Sequence, residues 1–219
     1  MTVPSATNLE LIREFRSELL SELTKFVSSA TIQAAAKRLR LWHNGGVRLD
    51  EEDSTSGLTF LQYCVLDFAR TGTTALDRYR FGNRTEPDSD QERFLDALSN
   101  ASFTIHKVTQ KISDDEVQLQ DVSNGDLHTV REVGFWKKAS PGTLIATRLV
   151  NMGDVVITSG VFFGLSSADP DDNTPPRIPP VSTKAEALLR TEALLQQLLS
   201  HGDSTGDTGP LELSTNEIA

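Results

Sequence analysis

The sequence predicts an α+β protein with N-terminal helices, then a curled five-stranded antiparallel sheet or small barrel, then a tethered C-terminal helix. Three observations lead to this fold class. Apolar residues recur at three- and four-residue steps through the first hundred residues, and from Ser102 they shift toward the alternation typical of strands. A proline-rich stretch then separates the strands from a last helical pattern, which is why that helix is expected to be tethered.

The 219 residues are divided on the same observations. Residues 1–101 are the helical region, and residues 102–165 are the antiparallel β region, which we expect to form one domain with the helices. Residues 166–182 are a Pro-rich linker, 183–201 an amphipathic helix and 202–219 a disordered tail, because the tail is rich in Gly, Ser, Thr and acidic residues.

The first two helices follow from periodicity and composition. Residues 8–27 have an apolar stripe at helical spacing, and Thr7 with Glu10 has the form of a capping box. An alanine-rich segment predicts a second helix over about residues 30–43. We expect Asn44-Gly45 to end it, since both residue types tolerate the left-handed conformation found after helices.

The remaining helices of this region are shorter. The stretch from 58 to 69 is apolar on nearly all sides, as in a buried helix, and this places Cys64 in the core. A short helix is expected around residues 77–79, and Pro87 begins the next one, with acidic residues in its first turn.

Five strands are predicted from alternation and β-branched content. They cover approximately residues 103–108, 117–122, 127–133, 144–150 and 155–163. Asn124-Gly125 predicts a two-residue type I′ turn, which would place Leu119 opposite Val130. Gly160 marks a bulge that would help the sheet to curl.

Composition excludes several classes of protein. A net charge of -10 opposes binding to nucleic acid, because phosphate contacts are made by cationic side chains. The single cysteine and the four histidines exclude disulfide scaffolds and zinc-finger spacing. With no signal-peptide pattern and no long apolar run, we expect a cytoplasmic protein that does not bind membranes.

No catalytic motif is present, so we predict no catalytic residue, no metal and no cofactor. Phosphate-loop, dinucleotide, nucleophile-elbow and zinc-protease patterns do not occur in the sequence. An enzyme would have to use Asp67, Asp77 or a cross-strand pair of His128 with Asp121, which His106 would approach. A basic segment from Lys37 to Arg40 is a weaker candidate for an anionic partner.

The candidate partner-binding residues lie in two places. Trp136 stands beside two lysines in a strand-connecting loop, and Arg148 follows on the next strand, so an aromatic face and positive charge would meet. Leu188, Leu195 and Leu199 form one side of the last helix, which a capping box at residues 183–186 begins.

Several short motifs give the chain a family resemblance over about residues 30–165. They are Leu39-x-x-Trp42-x-x-Gly45, Asp67-Phe68-Ala69, Arg78-Tyr79, the segment from Phe94 to Leu98, Gln120-Asp121-Val122, Ala146-Thr147-Arg148 and Ser159-Gly160-Val161. In this order the chain resembles a group of uncharacterised bacterial proteins, some of which carry a C-terminal zinc-binding SEC-C segment. Because no cysteine follows Cys64, the resemblance implies neither zinc nor an activity.

Two functions follow from the sequence as hypotheses. The first is a non-enzymatic binding or adaptor protein that uses the C-terminal helix or the loop around Trp136 to bind a protein partner or a second copy of itself. The alternative is a hydrolase or metal-assisted enzyme with a site between the helical region and the β region.

Overall fold

The computed structural model describes residues 9–49, 54–83, 90–132, 136, 140–165 and 183–200. These residues fall into two compact units: a helical unit that runs to Asn100 and also includes Leu195 onward, and a barrel unit from Ala101 to Leu194. The predicted linker at 166–182 and the predicted tail at 202–219 lie outside the described residues.

Side-chain caps define where several helices begin. The helices are α1 (Leu9–Thr24), α2 (Ser29–Arg38), α3 (Ser54–Leu66), α4 (Ala75–Gly82), α5 (Asp90–Asn100) and α6 (Lys184–Ser200). The Ser28 hydroxyl accepts the Thr31 amide at the start of α2, and Thr74 forms a capping box with Asp77 at the start of α4. The predicted capping box of the last helix is confirmed, because Thr183 and Glu186 each accept the other's backbone amide.

The helical unit has an aromatic and aliphatic core. Phe15 of α1 meets Phe94 of α5 edge to face, with ring centroids 5.3 Å apart. Cys64 is fully buried in α3, as predicted. Arg78 of α4 donates to the carbonyl oxygen of Phe26, while Arg80 forms ion pairs with two carboxylates of α5, those of Glu92 and Asp96. These arginines therefore tie α4 to its neighbours.

The second helix is shorter than predicted because a small hairpin follows it. Strands β1 (Trp42–His43) and β2 (Gly46–Val47) pair antiparallel. Arg40 has a φ of 60°, which stops the helix before the hairpin, and Asn44 and Gly45 have φ of 48° and 84°. Positive φ at two successive residues is the type I′ geometry, so Asn44-Gly45 turns a hairpin instead of capping a helix.

The remaining strands form a closed barrel. This confirms the α+β class, but the strand pairing differs from the predicted one. The strands are β3 (Phe103–Lys111), β4 (Glu116–Asp121), β5 (Leu127–Arg131), β6 (Leu144–Asn151) and β7 (Val156–Leu165). Their order is β3-β4-β5-β7-β6, and β6 closes the ring against β3. The prediction of a fully antiparallel sheet was wrong, because β5 and β7 run parallel where Val130 meets Val156.

Register shifts occur at two places in the barrel. The partner of Thr147 is Phe162, whereas the partner of Leu149 is Thr158, so β7 has extra residues opposite Arg148. Gly160 lies in this shift with a φ of 91°, as the predicted bulge requires. A second shift follows Val108 on β3.

The turn between β4 and β5 is longer than predicted. Leu119 pairs with His128, and Asp121 and Gly125 are joined by a backbone hydrogen bond of 2.9 Å. Of the two central residues, only Gly125 has a positive φ, at 81°. The prediction of a two-residue type I′ turn was therefore wrong, and the observed β4–β5 register differs from the predicted one by two residues.

We expect Gly125→Ala to destabilise the protein by about 1 kcal/mol, because an L side chain is disfavoured at positive φ. Gly164→Ala is the matched control: Gly164 is exposed on β7, has an ordinary φ and has open space where a Cβ would stand. Urea denaturation of both variants measures the difference. Equal stabilities of the two variants would contradict this account of the turn.

Candidate functional site

Trp136 and Arg148 are both buried in the barrel unit. Trp136 is 1% exposed and packs in the barrel core with Val108, Leu119 and Val130. Arg148, on β6, is 2% exposed and donates to the carbonyl oxygen of Ala101. Their assignment to a partner-binding surface stays a prediction, and the folded barrel gives both residues a role in its own packing.

The leucines of α6 are also largely inside the protein. Leu195 and Leu199 are buried, and Leu188 is partly buried, whereas Leu189 is 57% exposed. Contact between Leu195 and a partner would therefore require α6 to leave its position. This assignment too remains a prediction.

The two acidic candidates of the helical unit have local contacts. Asp77 accepts hydrogen bonds from the backbone and the hydroxyl of Thr74, both at 2.8 Å, and so caps α4. Burial, together with the charge of Asp67, raises the pKa of the Cys64 thiol to about 12. At neutral pH this thiol is protonated, so it is a core side chain and not a nucleophile.

In the basic segment, the ammonium group of Lys37 lies 5.9 Å from the ring centroid of Trp42. This is cation–π range, and the contact joins the last turn of α2 to the β1–β2 hairpin. The segment thus has a local packing contact, and its binding to an anionic partner stays a prediction.

A polar cluster of the barrel unit brings together the predicted histidines and Asp121. Asp121 pairs with His106 and not with His128 as predicted, because the β4–β5 register differs by two residues. The Thr104 hydroxyl lies between them, 2.9 Å from His106 Nε2 and 3.3 Å from an oxygen of Asp121. His128 pairs with Leu119 and acts on His106 electrostatically.

His106 is neutral at physiological pH. Burial lowers its pKa to about 4, and the nearby charge of His128 acts in the same direction. The Asp121 carboxylate opposes this effect without overcoming it. The imidazole therefore contributes a hydrogen bond to Thr104 without carrying charge.

Asp121 also shapes the turn that follows it. One of its oxygens accepts the backbone amide of Ser123 at 2.7 Å, the hydroxyl of the same residue at 2.6 Å and the amide of Asn124 at 3.4 Å. These bonds form an Asx turn, which competes with the two-residue hairpin. The second oxygen of Asp121 faces Thr104.

A cleft of about 190 Å³ opens beside this cluster, and we call it the α6 cleft. Its walls come from three elements of the barrel unit. They are α6 with Ala187, Arg190 and Leu194, the start of β3 with Ser102, Phe103, Thr104 and Ile105, and the β4–β5 turn with Asp121, Ser123 and Asn124. The Thr191 hydroxyl donates to the carbonyl oxygen of Phe103 at 3.3 Å and holds α6 against β3.

Arg190 places a partly buried guanidinium group on the wall of the α6 cleft. Its Nη1 atom is buried and has no hydrogen-bond partner in the part of the chain that the structure describes. A buried donor without an acceptor costs about 1 to 3 kcal/mol, and more when it is charged. A ligand with an acceptor group in the cleft would remove this cost.

Sequence reasoning missed Arg190 because it concentrated on the leucines of the last helix. A signal was present in the spacing: Ala187, Arg190 and Leu194 recur at steps of three and four, so a cation interrupts an inward-facing stripe. A lone arginine on such a stripe indicates either a buried ion pair or a binding group.

No three side chains among His, Cys, Asp and Glu of the described residues are grouped closely enough to hold a metal ion. None of the helices in the described ranges has the length and apolar character needed to cross a membrane.

The model of a family of unknown function, DUF7986, matches residues 7–172. The match includes all the barrel strands and ends before α6. Comparisons with curated proteins and with solved structures give no match.

We expect the stability of the protein to fall as the pH decreases from about 6.5 to 4 in a way that depends on His106. The folded-state pKa of about 4 lies below the ordinary 6.5, so the unfolded chain binds more protons in this window. The His106 contribution is complete above pH 6.5, and roughly 3 kcal/mol of it is lost by pH 4. Urea denaturation of wild type and His106→Gln across this window measures the effect. Parallel curves of stability against pH for the two proteins would contradict this account of His106.

Proposed function

This chain belongs to the DUF7986 family, whose function is unknown, and from its own geometry we propose that it is a non-enzymatic binding protein that holds a small ligand in the α6 cleft. The proposal depends on one observation: Arg190 lines the cleft, and its Nη1 has no hydrogen-bond partner among the described residues. A protein gains nothing in stability from such a group, so its presence favours a role in binding.

The surroundings of Arg190 support binding over a structural role. Hydroxyl and amide groups of Thr104, Ser123 and Asn124 share the cleft with it, beside the apolar surfaces of Ala187 and Leu194. Small-molecule sites commonly combine apolar walls with a few polar groups that fix orientation.

In this proposal α6 remains the recognition element that the sequence predicted, but its residues act differently. The buried Leu194, Leu195 and Leu199 fix the helix, and Arg190 contacts the ligand. Binding of a protein partner through Leu188 or Trp136 stays a separate prediction. We expect the protein to act in the bacterial cytoplasm, and the narrower resemblance to SEC-C proteins contributes no ligand.

A hydrolase is the second candidate, and one contact favours it. The Thr104 hydroxyl lines the α6 cleft and lies 2.9 Å from His106 Nε2, as a nucleophile would lie beside its base. The lowered pKa of His106 makes it a weak base, and Asp121 faces the hydroxyl instead of orienting the imidazole. Binding is therefore the better supported function.

We expect Arg190→Met to leave the stability of the ligand-free protein unchanged, or to raise it by about 1 kcal/mol, because Nη1 has no partner among the described residues and a partly buried charge is removed. The matched control is Arg148→Met, which removes a donor to the Ala101 carbonyl and should destabilise by about 1 to 3 kcal/mol. Urea denaturation compares the two. Equal losses would assign Arg190 a structural role.

Native mass spectrometry of the protein as purified from its host gives a direct test of binding. A small bound molecule retained by wild type and lost in Arg190→Met is the expected result. Retention of the same molecule by both proteins would place the ligand elsewhere and overturn the proposal.

For the hydrolase, we expect no hydrolysis of p-nitrophenyl acetate that depends on Thr104. The variants are Thr104→Val and, as a control on the same wall, Ser102→Ala. Turnover present in wild type and in the Ser102 variant but lost in the Thr104 variant would favour the enzyme over the binding protein.

A further inference from the structure

We propose that the ligand of the α6 cleft is a small monocarboxylic acid with a hydroxyl or ammonium group on the carbon next to the carboxylate. This inference rests on the proposed function, since it names the chemical class that the same cleft would bind. The class follows from the charges, hydrogen-bonding capacity and size of the cleft.

The charges in the α6 cleft fit a ligand with one negative charge. Among the described residues that line it, Arg190 and Asp121 are the two charged side chains. One guanidinium group compensates one carboxylate well, whereas a phosphate dianion would meet a single cation and also the repulsion of Asp121. The balance of charge in the cleft therefore favours a carboxylate over a phosphate.

The free donor on Arg190 suits a carboxylate in its geometry. A guanidinium group is planar and presents parallel N–H donors that match the two oxygens of a carboxylate. Because Arg190 is partly buried where it lines the cleft, this contact would be less exposed to water and stronger than one at the open surface.

The Asp121 carboxylate can accept a further hydrogen bond from a donor group on the ligand. One of its oxygens already accepts three hydrogen bonds, from two groups of Ser123 and from Asn124. The other oxygen accepts one long hydrogen bond, of 3.3 Å from Thr104, and a carboxylate oxygen has two lone pairs. A hydroxyl or ammonium group close to the ligand carboxylate would complete this oxygen while the carboxylate binds Arg190.

The size of the cleft limits the rest of the ligand. Its volume of about 190 Å³ is below the roughly 300 to 1,000 Å³ of typical ligand sites. Ala187 and Leu194 offer an apolar wall to a short side chain. The free acid is therefore favoured over the C-terminus of a peptide, which carries the same carboxylate on a longer chain.

Isothermal titration calorimetry with defined probes tests the class. The probes are L-lactate and L-alanine, then acetate, which lacks the second donor, then inorganic phosphate, and a dipeptide ending in alanine. We expect lactate or alanine to bind at least about tenfold more tightly than acetate and phosphate, and Arg190→Met to weaken this binding at least about tenfold. Arg190→Lys keeps the charge but loses the planar pair of donors, and should also weaken it.

The outcomes separate this inference from the proposed function. Binding of phosphate that depends on Arg190 and is tighter than that of lactate and alanine would overturn the carboxylate class and leave the α6 cleft as a binding site. Tighter binding of the dipeptide would keep the carboxylate but overturn the assignment to a small free acid. If none of the probes binds, the proposed chemical class of the ligand is overturned as well. The proposed function fails separately, if Arg190→Met is as destabilising as Arg148→Met or if native mass spectrometry finds no molecule that depends on Arg190.

Discussion

Closing five strands into a ring is the constraint on which the barrel unit depends. Strand directions can alternate all the way round a ring only when the number of strands is even, so a five-stranded ring must contain one parallel pair. The chain places that pair at β5 and β7, which frees β6 to pair with β3. As a result β3 is a central strand, with Asp121 of β4 on one side of His106 and Ile145 of β6 on the other. Closure thus covers His106 with a strand on each side, which contributes to the burial of its imidazole.

The Asp121 carboxylate connects the barrel to the α6 cleft. By accepting the amides of Ser123 and Asn124, it replaces the tight hairpin with a longer turn, and this turn forms one wall of the cleft. Its other oxygen faces Thr104, whose hydroxyl also meets His106. A single side chain therefore shapes the β4–β5 turn, accepts a hydrogen bond from Thr104 in the polar cluster and contributes a charge to the cleft. These hydrogen bonds offset the cost of placing a carboxylate at a largely buried position, where an unpaired one would be unfavourable.

The sequence predicted the elements better than their pairing, and the reason is physical. Periodicity is local, so the helices and the five strands were found close to their observed bounds. The register of a hairpin depends on which side chains form hydrogen bonds with the backbone of its turn. Asn44-Gly45 forms a type I′ turn. Asn124-Gly125 does not, because the Asp121 carboxylate accepts a hydrogen bond from a backbone amide of that turn. The parallel pair depends on closure, which no local pattern contains. The sequence did not predict the α6 cleft for a similar reason: the residues of β3 and of the β4–β5 turn that line it with Arg190 are distant from Arg190 in the sequence.

The energetics of Arg190 link ligand binding to the position of α6. Leaving Nη1 unpaired lowers the stability of the docked helix, while the Thr191 hydroxyl and the buried leucines offset that cost. A ligand that pairs with Arg190 binds only when α6 lies on β3, because the helix supplies one wall of the cleft. By mass action, such a ligand stabilises the docked helix in proportion to the logarithm of its concentration. In the proposed complex, the pairing of the ligand with Arg190 would therefore hold α6 against β3 more firmly than in the ligand-free protein.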